Sequence, residues 1–213
     1  MPSDRSEMVE RQLRARGIDD ERVLEAMAAV PREQFVPLML RKRAYDDAAL
    51  PIGAGQTISQ PYMVALICSE LHLRGGERVL DVGTGSGYQA AVLAELGADV
   101  HSIERVPELA ERAREALAAA GYGDRVKVHV GDGTRGLPAE APFAAIAVAA
   151  AAPVLPWSLY EQLAEGGRLV VPVGPRWEQR LDVVVRSPEG PATLRTVPCR
   201  FVPLLGAEGF RES

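Results

Sequence analysis

The folding pattern of this chain follows from one stretch, Val79-Leu80-Asp81-Val82-Gly83-Thr84-Gly85-Ser86-Gly87-Tyr88, which continues into Gln89-Ala90-Ala91-Val92-Leu93-Ala94. An aliphatic run, three closely spaced glycines and an alanine-rich segment predict a buried strand, a tight loop and a helix. That construction brings backbone N–H groups and a helix N-terminus up to a bound cofactor. We therefore expect a nucleotide-like ligand at this loop.

The spacing of the glycines separates this loop from a dinucleotide-binding fingerprint. Gly83, Gly85 and Gly87 alternate, whereas the fingerprint has the spacing G-x-G-x-x-G beneath a pyrophosphate. Asp81 stands two positions before the first glycine, where a carboxylate would repel a pyrophosphate and suit a cationic ligand. The spacing alone also fits a glycine-rich turn without a ligand, so the surrounding residues have to distinguish the two.

Length and composition fit a single globular domain. The chain has 213 residues and a mass of 22.9 kDa, enough for one well-buried α/β domain. A net charge of −5 argues against nucleic-acid binding, which needs clustered Lys and Arg. Cys68 and Cys199 form no metal motif, and no apolar run reaches the ~20 residues of a bilayer span. We expect no metal, nucleic-acid or membrane partner and, without a secretory signal, a cytoplasmic protein.

Strand and helix signals alternate through the middle of the chain, which predicts an α/β fold with a doubly wound, mostly parallel Rossmann-like sheet. The predicted strands are 78–82, 99–104, 126–130, 143–148 and 168–173, and the predicted helices are 61–71, 88–96, 107–120 and 156–164. After residue 174 the alternation stops. A hairpin of 181–186 with 192–197 and a last strand over 200–204 predict antiparallel C-terminal strands.

The N-terminal part predicts a helical cap followed by an irregular segment. One helix is expected to end near Gly17, and a second to begin at Asp19 or Asp20 and end at Pro31. Residues 32–61 lack a regular period, and we expect the part from Tyr45 to Pro61 to close over the site as a lid. The predicted single domain, 1–213, therefore divides into a cap and lid (1–60), an α/β core (61–174) and C-terminal strands (175–213).

Acidic residues stand at the ends of successive predicted strands. Glu104 lies 21 positions after Gly83, near the ~20-residue offset at which a carboxylate meets ribose hydroxyls. Gly131-Asp132-Gly133 follows the next strand and allows close approach to a flat base. Each is also compatible with an exposed strand end or a simple turn. With no Lys or Arg in the glycine loop, the set favours S-adenosylmethionine over NAD, FAD or ATP, which need phosphate contacts.

Several segments also resemble the protein-L-isoaspartate (D-aspartate) O-methyltransferase family, over about residues 5–206. They are Val36-Pro37, Ala44-Tyr45-Asp46-Asp47, Leu50-Pro51-Ile52-Gly53, Gly55-Gln56-Thr57-Ile58-Ser59-Gln60-Pro61-Tyr62-Met63-Val64-Ala65, residues 79–88, Glu104-Arg105, Gly131-Asp132-Gly133 and Phe201-Val202-Pro203-Leu204. The segment 55–65 is more specific than the glycine loop. The resemblance implies a Rossmann-like methyltransferase fold.

The family implies methyl transfer from S-adenosylmethionine to the free α-carboxylate of L-isoaspartyl residues, with D-aspartyl residues a further acceptor, in damaged proteins. The product of the cofactor is S-adenosylhomocysteine. By this resemblance Ser59 is the catalytic residue. The implied cofactor-binding residues are Thr57, Ile58, Ser59, Gln60, Asp81, Gly83, Thr84, Gly85, Ser86, Gly87, Glu104, Arg105, Asp132 and Gly133, and the implied substrate-binding residues are Thr57, Ser59, Gln60, Val148, Ala149 and Ala150.

The chain departs from the family pattern after the fourth predicted strand. Family members commonly have a threonine there, whereas this chain has Ala149, so one polar contact near the substrate is in question. A catalytic base is not required, because a carboxylate nucleophile with a pKa near ~4 is ionised at neutral pH. We accordingly interpret His72, His101 and His129 as structural or surface residues. Ser59 could alternatively cap the helix that begins near Pro61.

Two other functions remain open from the residues alone. One is a related carboxyl methyltransferase that acts on a dedicated aspartyl peptide. The other is a cofactor-binding module without catalysis. On the first interpretation the partners are isoaspartyl-containing peptides and proteins, and the chain is expected to act as a monomer.

Overall fold

The computed structural model describes residues 4–211 of the chain. Its strands are β1 (Leu50–Gly53), β2 (Gln56–Ile58), β3 (Arg78–Val82), β4 (Asp99–Glu104), β5 (Val126–Val130), β6 (Phe143–Val148), β7 (Leu163–Val173), β8 (Gln179–Ser187) and β9 (Gly190–Cys199). Its α-helices are α1 (Asp4–Glu7), α2 (Glu21–Ala29), α3 (Pro61–Glu70), α4 (Tyr88–Glu95), α5 (Pro107–Ala119) and α6 (Trp157–Glu161). No helix within residues 4–211 is long and apolar enough to cross a membrane.

Seven strands form one sheet in the order β5-β4-β3-β6-β7-β8-β9. The strands from β5 to β7 pair in parallel, and β8 and β9 are added antiparallel. The predicted α/β fold class, with antiparallel C-terminal strands, is confirmed. The chain moves outward from β3 to β5 and then returns to β6 on the other side of β3. This reversal creates a crevice at the carboxyl ends of β3 and β6, where open α/β sheets bind ligands.

The N-terminal cap is helical, as predicted. α1 continues as a π-helical stretch, Met8–Leu13, and a 3-10 turn, Arg14–Arg16. The chain then turns at Gly17, which has a left-handed φ of 90°. The side chain of Asp20, not Asp19, accepts hydrogen bonds from the first backbone N–H groups of α2, and this N-cap fixes where the second helix begins.

The segment between α2 and α3 is more regular than its sequence indicates. It contains two 3-10 turns, Arg32–Phe35 and Leu38–Arg43, and the antiparallel hairpin β1–β2. The hairpin was not predicted because Pro51 and two glycines interrupt any alternating pattern. In the structure Pro51 occupies an edge strand, where its missing N–H is tolerated. The turn is made by Gly53, Ala54 and Gly55, all with positive φ.

The boundary between α6 and β7 differs from the prediction. α6 ends at Glu161 instead of residue 164, and β7 begins at Leu163 instead of residue 168. The Gly166-Gly167 pair therefore lies inside a strand and does not end a helix. A Cβ on Gly167 would lie 2.8 Å from the carbonyl oxygen of Ala164. The pair accompanies a register shift between β6 and β7, which is a common use of glycine in strands.

The last predicted strand, 200–204, is also wrong. These residues are extended but belong to no named strand. Ala151 donates its N–H to the Val202 carbonyl at 2.8 Å and accepts from the Leu204 N–H at 2.7 Å. The segment thus runs beside the end of β6, at the edge where the crevice opens.

Candidate active site

A cavity lies at the carboxyl ends of β3 and β4, beside the reversal between β3 and β6. It measures about 830 Å³, counting the space that opens to solvent. Three regions distant in sequence form most of its wall: the glycine loop 83–86, the hairpin segment 56–59 and the C-terminal segment 202–205. The wall also includes Val64, Val82, Tyr88, Gln89, Ile103, Glu104, Arg105, Val106, Gly133, Ala149 and Ala150.

The glycine loop has a backbone that only glycine adopts easily. Gly83, Gly85 and Gly87 have φ values of +91°, +55° and +89°, in the left-handed region. A Cβ on Gly87 would also lie 3.2 Å from Cγ of Leu117. The Gly83 N–H donates to the Ile103 carbonyl at 2.9 Å, which fastens the loop to β4. The loop therefore presents open backbone that a ligand can approach closely.

Glu104 is the acidic side chain that faces the cavity. Its Oε2 accepts the Gly85 N–H at 2.9 Å, and its Oε1 accepts the Val106 N–H at 3.0 Å. The residue is 7% exposed. The carboxylate thus closes the glycine loop against the end of β4 while it lines the cavity. Arg105 follows it in the wall.

The structure places Asp81 behind the cavity, not in its wall. Its side chain is fully buried, and its two oxygens accept from the Gln89 amide at 2.8 Å and the Ser102 hydroxyl at 2.7 Å. Burial raises the pKa of Asp81 to about 6, although these two hydrogen bonds oppose the shift. The Ser102 hydroxyl also lies 2.5 Å from that of Thr84. Asp81 therefore acts on the glycine loop through this network.

Asp132 and Gly133 also differ in their position, because only one of them lines the cavity. Gly133 lines the cavity. The Asp132 carboxylate instead accepts from the N–H and hydroxyl of Thr134 and from the Ala207 N–H. Burial would raise the pKa of Asp132, but these hydrogen bonds favour the ionised form and hold the pKa below its usual value. The carboxylate thereby ties the chain after β5 to the C-terminal segment.

Thr57 and Ile58, at the end of β2, and Ser59, between β2 and α3, all line the cavity. The N-cap position of α3 is Gln60, without a side-chain capping bond, so the alternative role of Ser59 as a helix cap is wrong. Within residues 4–211 the Ser59 hydroxyl makes no hydrogen bond. It is therefore a free donor at the cavity wall.

A second cleft adjoins the first and, with the space that opens to solvent counted in the same way, measures about 780 Å³. Four residues, Thr57, Ser59, Ala149 and Val202, line both. The remaining wall of the second cleft consists of Ala49, Gln60, Met63, Arg200 and Phe201. Of the predicted substrate residues, Ala150 lines only the first cavity, and Val148 is buried and lines neither.

Arg200 and residues 202–205 were missed as site residues because their segment was predicted to be a strand. Arg200 is the one charged side chain in the wall of the second cleft, and it has no ion pair or hydrogen bond within the described part of the chain. The signal that could have identified this segment was its resemblance to the family, Phe201-Val202-Pro203-Leu204.

The histidines lie away from both cavities. His101 is 1% exposed and stacks on His129 with ring centroids 5.4 Å apart, between β4 and β5. In residues 4–211 no group of three or more His, Cys, Asp or Glu side chains is arranged to hold a metal ion. The side chains that line the cavity include the hydroxyls of Thr57, Ser59, Thr84 and Ser86 and the Glu104 carboxylate.

Comparison with known proteins shows which family this chain matches. A model of the family described as protein-L-isoaspartate(D-aspartate) O-methyltransferase matches residues 3–209. The chain is 55% identical over 208 residues to a protein-L-isoaspartate O-methyltransferase of Methanoculleus marisnigri, covering 98% of this chain and 94% of that protein.

Two solved structures are also similar over 96% of this chain. One, a protein-L-isoaspartate O-methyltransferase, has a TM-score of 0.84 at 28% identity, and the match spans 66% of its length. The other, a protein of the same kind from Plasmodium falciparum described as putative, was solved in complex with S-adenosyl-L-homocysteine. It has a TM-score of 0.83 at 29% identity, and 99% of it is covered.

The buried Asp81 carboxyl predicts a pH-dependent stability difference. Because its folded pKa is raised to about 6, folding binds a proton, and the group's unfavourable contribution grows as the pH rises from about 4 to 6.5. Asp81→Asn removes this titration. Its NH₂ replaces one acceptor, so either the Gln89 amide or the Ser102 hydroxyl must turn to accept from it. The free energy of unfolding of the variant minus that of the wild type should therefore rise across this range, by up to ~3 kcal/mol. Urea unfolding at several pH values measures it, and a flat difference would contradict the burial effect.

Proposed function

We propose a function from the family to which this chain belongs, the protein-L-isoaspartate (D-aspartate) O-methyltransferases. The chain moves a methyl group from S-adenosylmethionine to the free α-carboxylate of L-isoaspartyl residues in damaged proteins. One observation carries the assignment of roles. The unpaired Ser59 hydroxyl lies in the wall shared by two adjoining cavities, one suited to the cofactor and the other to the acceptor.

The groups that line the larger cavity fit S-adenosylmethionine. The glycine loop offers backbone at close approach, and the Glu104 carboxylate is placed to accept from ribose hydroxyls. Gly133 leaves room for a flat base. We propose that the predicted cofactor residues serve this cavity, Asp81 and Asp132 through their hydrogen-bond networks and Gln60 from the adjoining cleft. When bound, the cofactor supplies an electrophilic methyl group on a positively charged sulfur.

The smaller cleft fits an anionic acceptor. Hydroxyls of Thr57 and Ser59 and the cationic Arg200 are available there, and the acceptor carboxylate is ionised near neutral pH without a base. Ser59 would donate a hydrogen bond to this carboxylate and hold one oxygen toward the larger cavity. Such alignment is worth ~7 to 11 kcal/mol in favourable cases. Catalysis here is positioning, with the hairpin β1–β2 and its flanking turns as the lid.

The methyl ester of the product reacts more readily than the carboxylate with a backbone nitrogen of the same peptide. The following peptide nitrogen attacks the ester carbonyl, methanol leaves, and the succinimide hydrolyses without the enzyme. Repeated cycles restore aspartyl residues. We further propose that the chain works as one domain, as a monomer in the cytoplasm, with D-aspartyl sites as a second acceptor.

Removal of the Ser59 hydroxyl should lower turnover and leave cofactor affinity nearly unchanged. Ser59→Ala is expected to lower kcat for an L-isoaspartyl peptide at least tenfold, because a hydrogen bond to a charged group contributes ~1.5 to 3 kcal/mol. The affinity for S-adenosylhomocysteine should change less than threefold by isothermal titration. Ser69→Ala is the matched control, since the Ser69 hydroxyl also lacks a partner within residues 4–211 but lies on α3 outside both cavities. Equal turnover in the two variants would remove Ser59 from the mechanism.

Neutralising Glu104 should weaken cofactor binding. In Glu104→Gln an amide NH₂ replaces one acceptor, so it faces either the Gly85 or the Val106 N–H. The dissociation constant of S-adenosylhomocysteine should rise at least tenfold, which corresponds to ~1.4 kcal/mol. Glu95→Gln is the control, because Glu95 bonds Tyr122 and Arg125 away from the cavity. Native affinity in Glu104→Gln would mean that the ribose does not lie at β4.

Arg200 should attract the acceptor without taking part in the transfer. Arg200→Gln is expected to raise KM for the isoaspartyl peptide two- to fivefold with little change in kcat, as for an exposed ion pair of ~0.5 to 1 kcal/mol. The salt dependence of kcat/KM should weaken with it. Arg41→Gln, on the exposed 3-10 turn, is the control. An unchanged KM and salt dependence would place the acceptor elsewhere.

A further inference from the structure

The cap contains a buried cation without an anionic partner. Arg32 is 0% exposed, the largest fully buried side chain of the described residues. It forms no ion pair within residues 4–211, and burial lowers the pKa of its guanidinium. Burying an unpaired charge is costly, so its surroundings must hold it by other means.

Arg32 joins three separate parts of the site. Its Nε donates to the Ala44 carbonyl at 2.7 Å, just after the second 3-10 turn of the lid. Its Nη2 donates to the Ser59 carbonyl, also at 2.7 Å. Its Cζ lies 4.7 Å from the ring centroid of Tyr88, the first residue of the helix after the glycine loop. The planar fork of arginine makes these contacts at once, which a lysine ammonium cannot reproduce.

The bond to Ser59 is important because of where Ser59 lies. The residue follows β2 and precedes α3, so neither the strand ladder nor the helix fixes its carbonyl. The carbonyl and the free hydroxyl belong to the same residue. Holding the carbonyl at Arg32 therefore restricts the position of Cα, and with it the direction in which the hydroxyl points.

We propose that Arg32 is a positioning residue for methyl transfer, which holds Ser59 and the lid at a fixed distance from the start of α4. The inference rests on the proposed function of Ser59. Arg32 lines neither cavity, so it does not touch substrate or cofactor. Its effect passes through the backbone of Ser59.

The test is a kinetic comparison of Arg32→Lys with Arg22→Lys. Arg22 also donates to two backbone carbonyls, those of Leu73 and Leu96, but outside both cavities. Arg32→Lys should lower kcat for an L-isoaspartyl peptide at least tenfold, since a displacement of ~1 Å can cost ~10²-fold in rate. KM and the dissociation constant of S-adenosylhomocysteine should each change less than threefold.

Arg22→Lys should keep kcat within threefold. If Arg32→Lys loses no more kcat than this control, or if its KM rises and its cofactor affinity falls in proportion to the loss of kcat, Arg32 is only structural and the inference is wrong. The wild type separates this result from the larger proposal: no methyl transfer to the peptide by the unmodified enzyme would overturn the proposed function itself.

A measurement on the wild type covers the case in which Arg32→Lys does not fold. The Arg32 guanidinium resonances in a ¹⁵N NMR spectrum should show slow rotation and slow hydrogen exchange, because two of its nitrogens are bonded to carbonyls. Addition of S-adenosylhomocysteine and an isoaspartyl peptide should slow both further. A freely rotating, rapidly exchanging group in the ternary complex would overturn the inference.

Discussion

The attachment of the glycine loop to the end of β4 is the constraint on which the site depends. Two N–H groups, of Gly83 and Thr84, donate to the Ile103 carbonyl, and the Gly85 N–H donates to the Glu104 carboxylate. These bonds are possible only with the left-handed backbone that glycine allows. They place the start of α4 and the end of β4 on the same cavity. A change in any of these groups would therefore alter the loop and the ligand contact together.

The rest of the cavity wall is formed by two elements that lie outside the parallel strands of the sheet. The hairpin β1–β2 delivers Thr57 and Ser59, and the C-terminal segment reaches the same wall through its hydrogen bonds with Ala151. Neither element forms part of the seven-stranded sheet. On the proposed function, the sheet fixes where the cofactor is held, while the backbone packed on its edge determines which acceptor can approach, as expected when binding residues lie on loops over a rigid scaffold.

The strands and helices from β3 to β6 could be predicted because local pattern and tertiary environment agree there. Parallel strands buried on both faces read as continuous apolar runs, such as Phe143–Val148. The errors fall where long-range contacts override local signals. Gly166-Gly167 resembles a helix end but sits in a bulged strand crowded by backbone. Residues 200–204 resemble a strand, yet the short end of β6 offers them only isolated pairing at Ala151.

For the site residues too, some features could be predicted from the sequence and others could not. The sequence places Asp81 and Glu104 alike at strand ends, but it does not reveal which way each carboxylate faces. Asp81 lies within β3, one position before its end, and points among Gln89 and Ser102, whereas Glu104 ends β4 and reaches the cavity. The hydrogen bond from Arg32 to the Ser59 carbonyl joins residues 27 positions apart, and no periodic pattern in the sequence indicates it. Such contacts are set by packing, which a single sequence does not encode locally.

The departure at Ala149 can now be given a physical meaning. Ala149 keeps the backbone of this region in place, because its N–H donates to the Val82 carbonyl at 2.9 Å, and it lines both cavities. A methyl group there leaves the shared wall apolar on the sheet side. Its hydroxyls come from the hairpin side alone, from Thr57 and Ser59. On the proposed function, acceptor orientation in this chain therefore depends on the hairpin more than it would with the family threonine, which increases the importance of how firmly Ser59 is held.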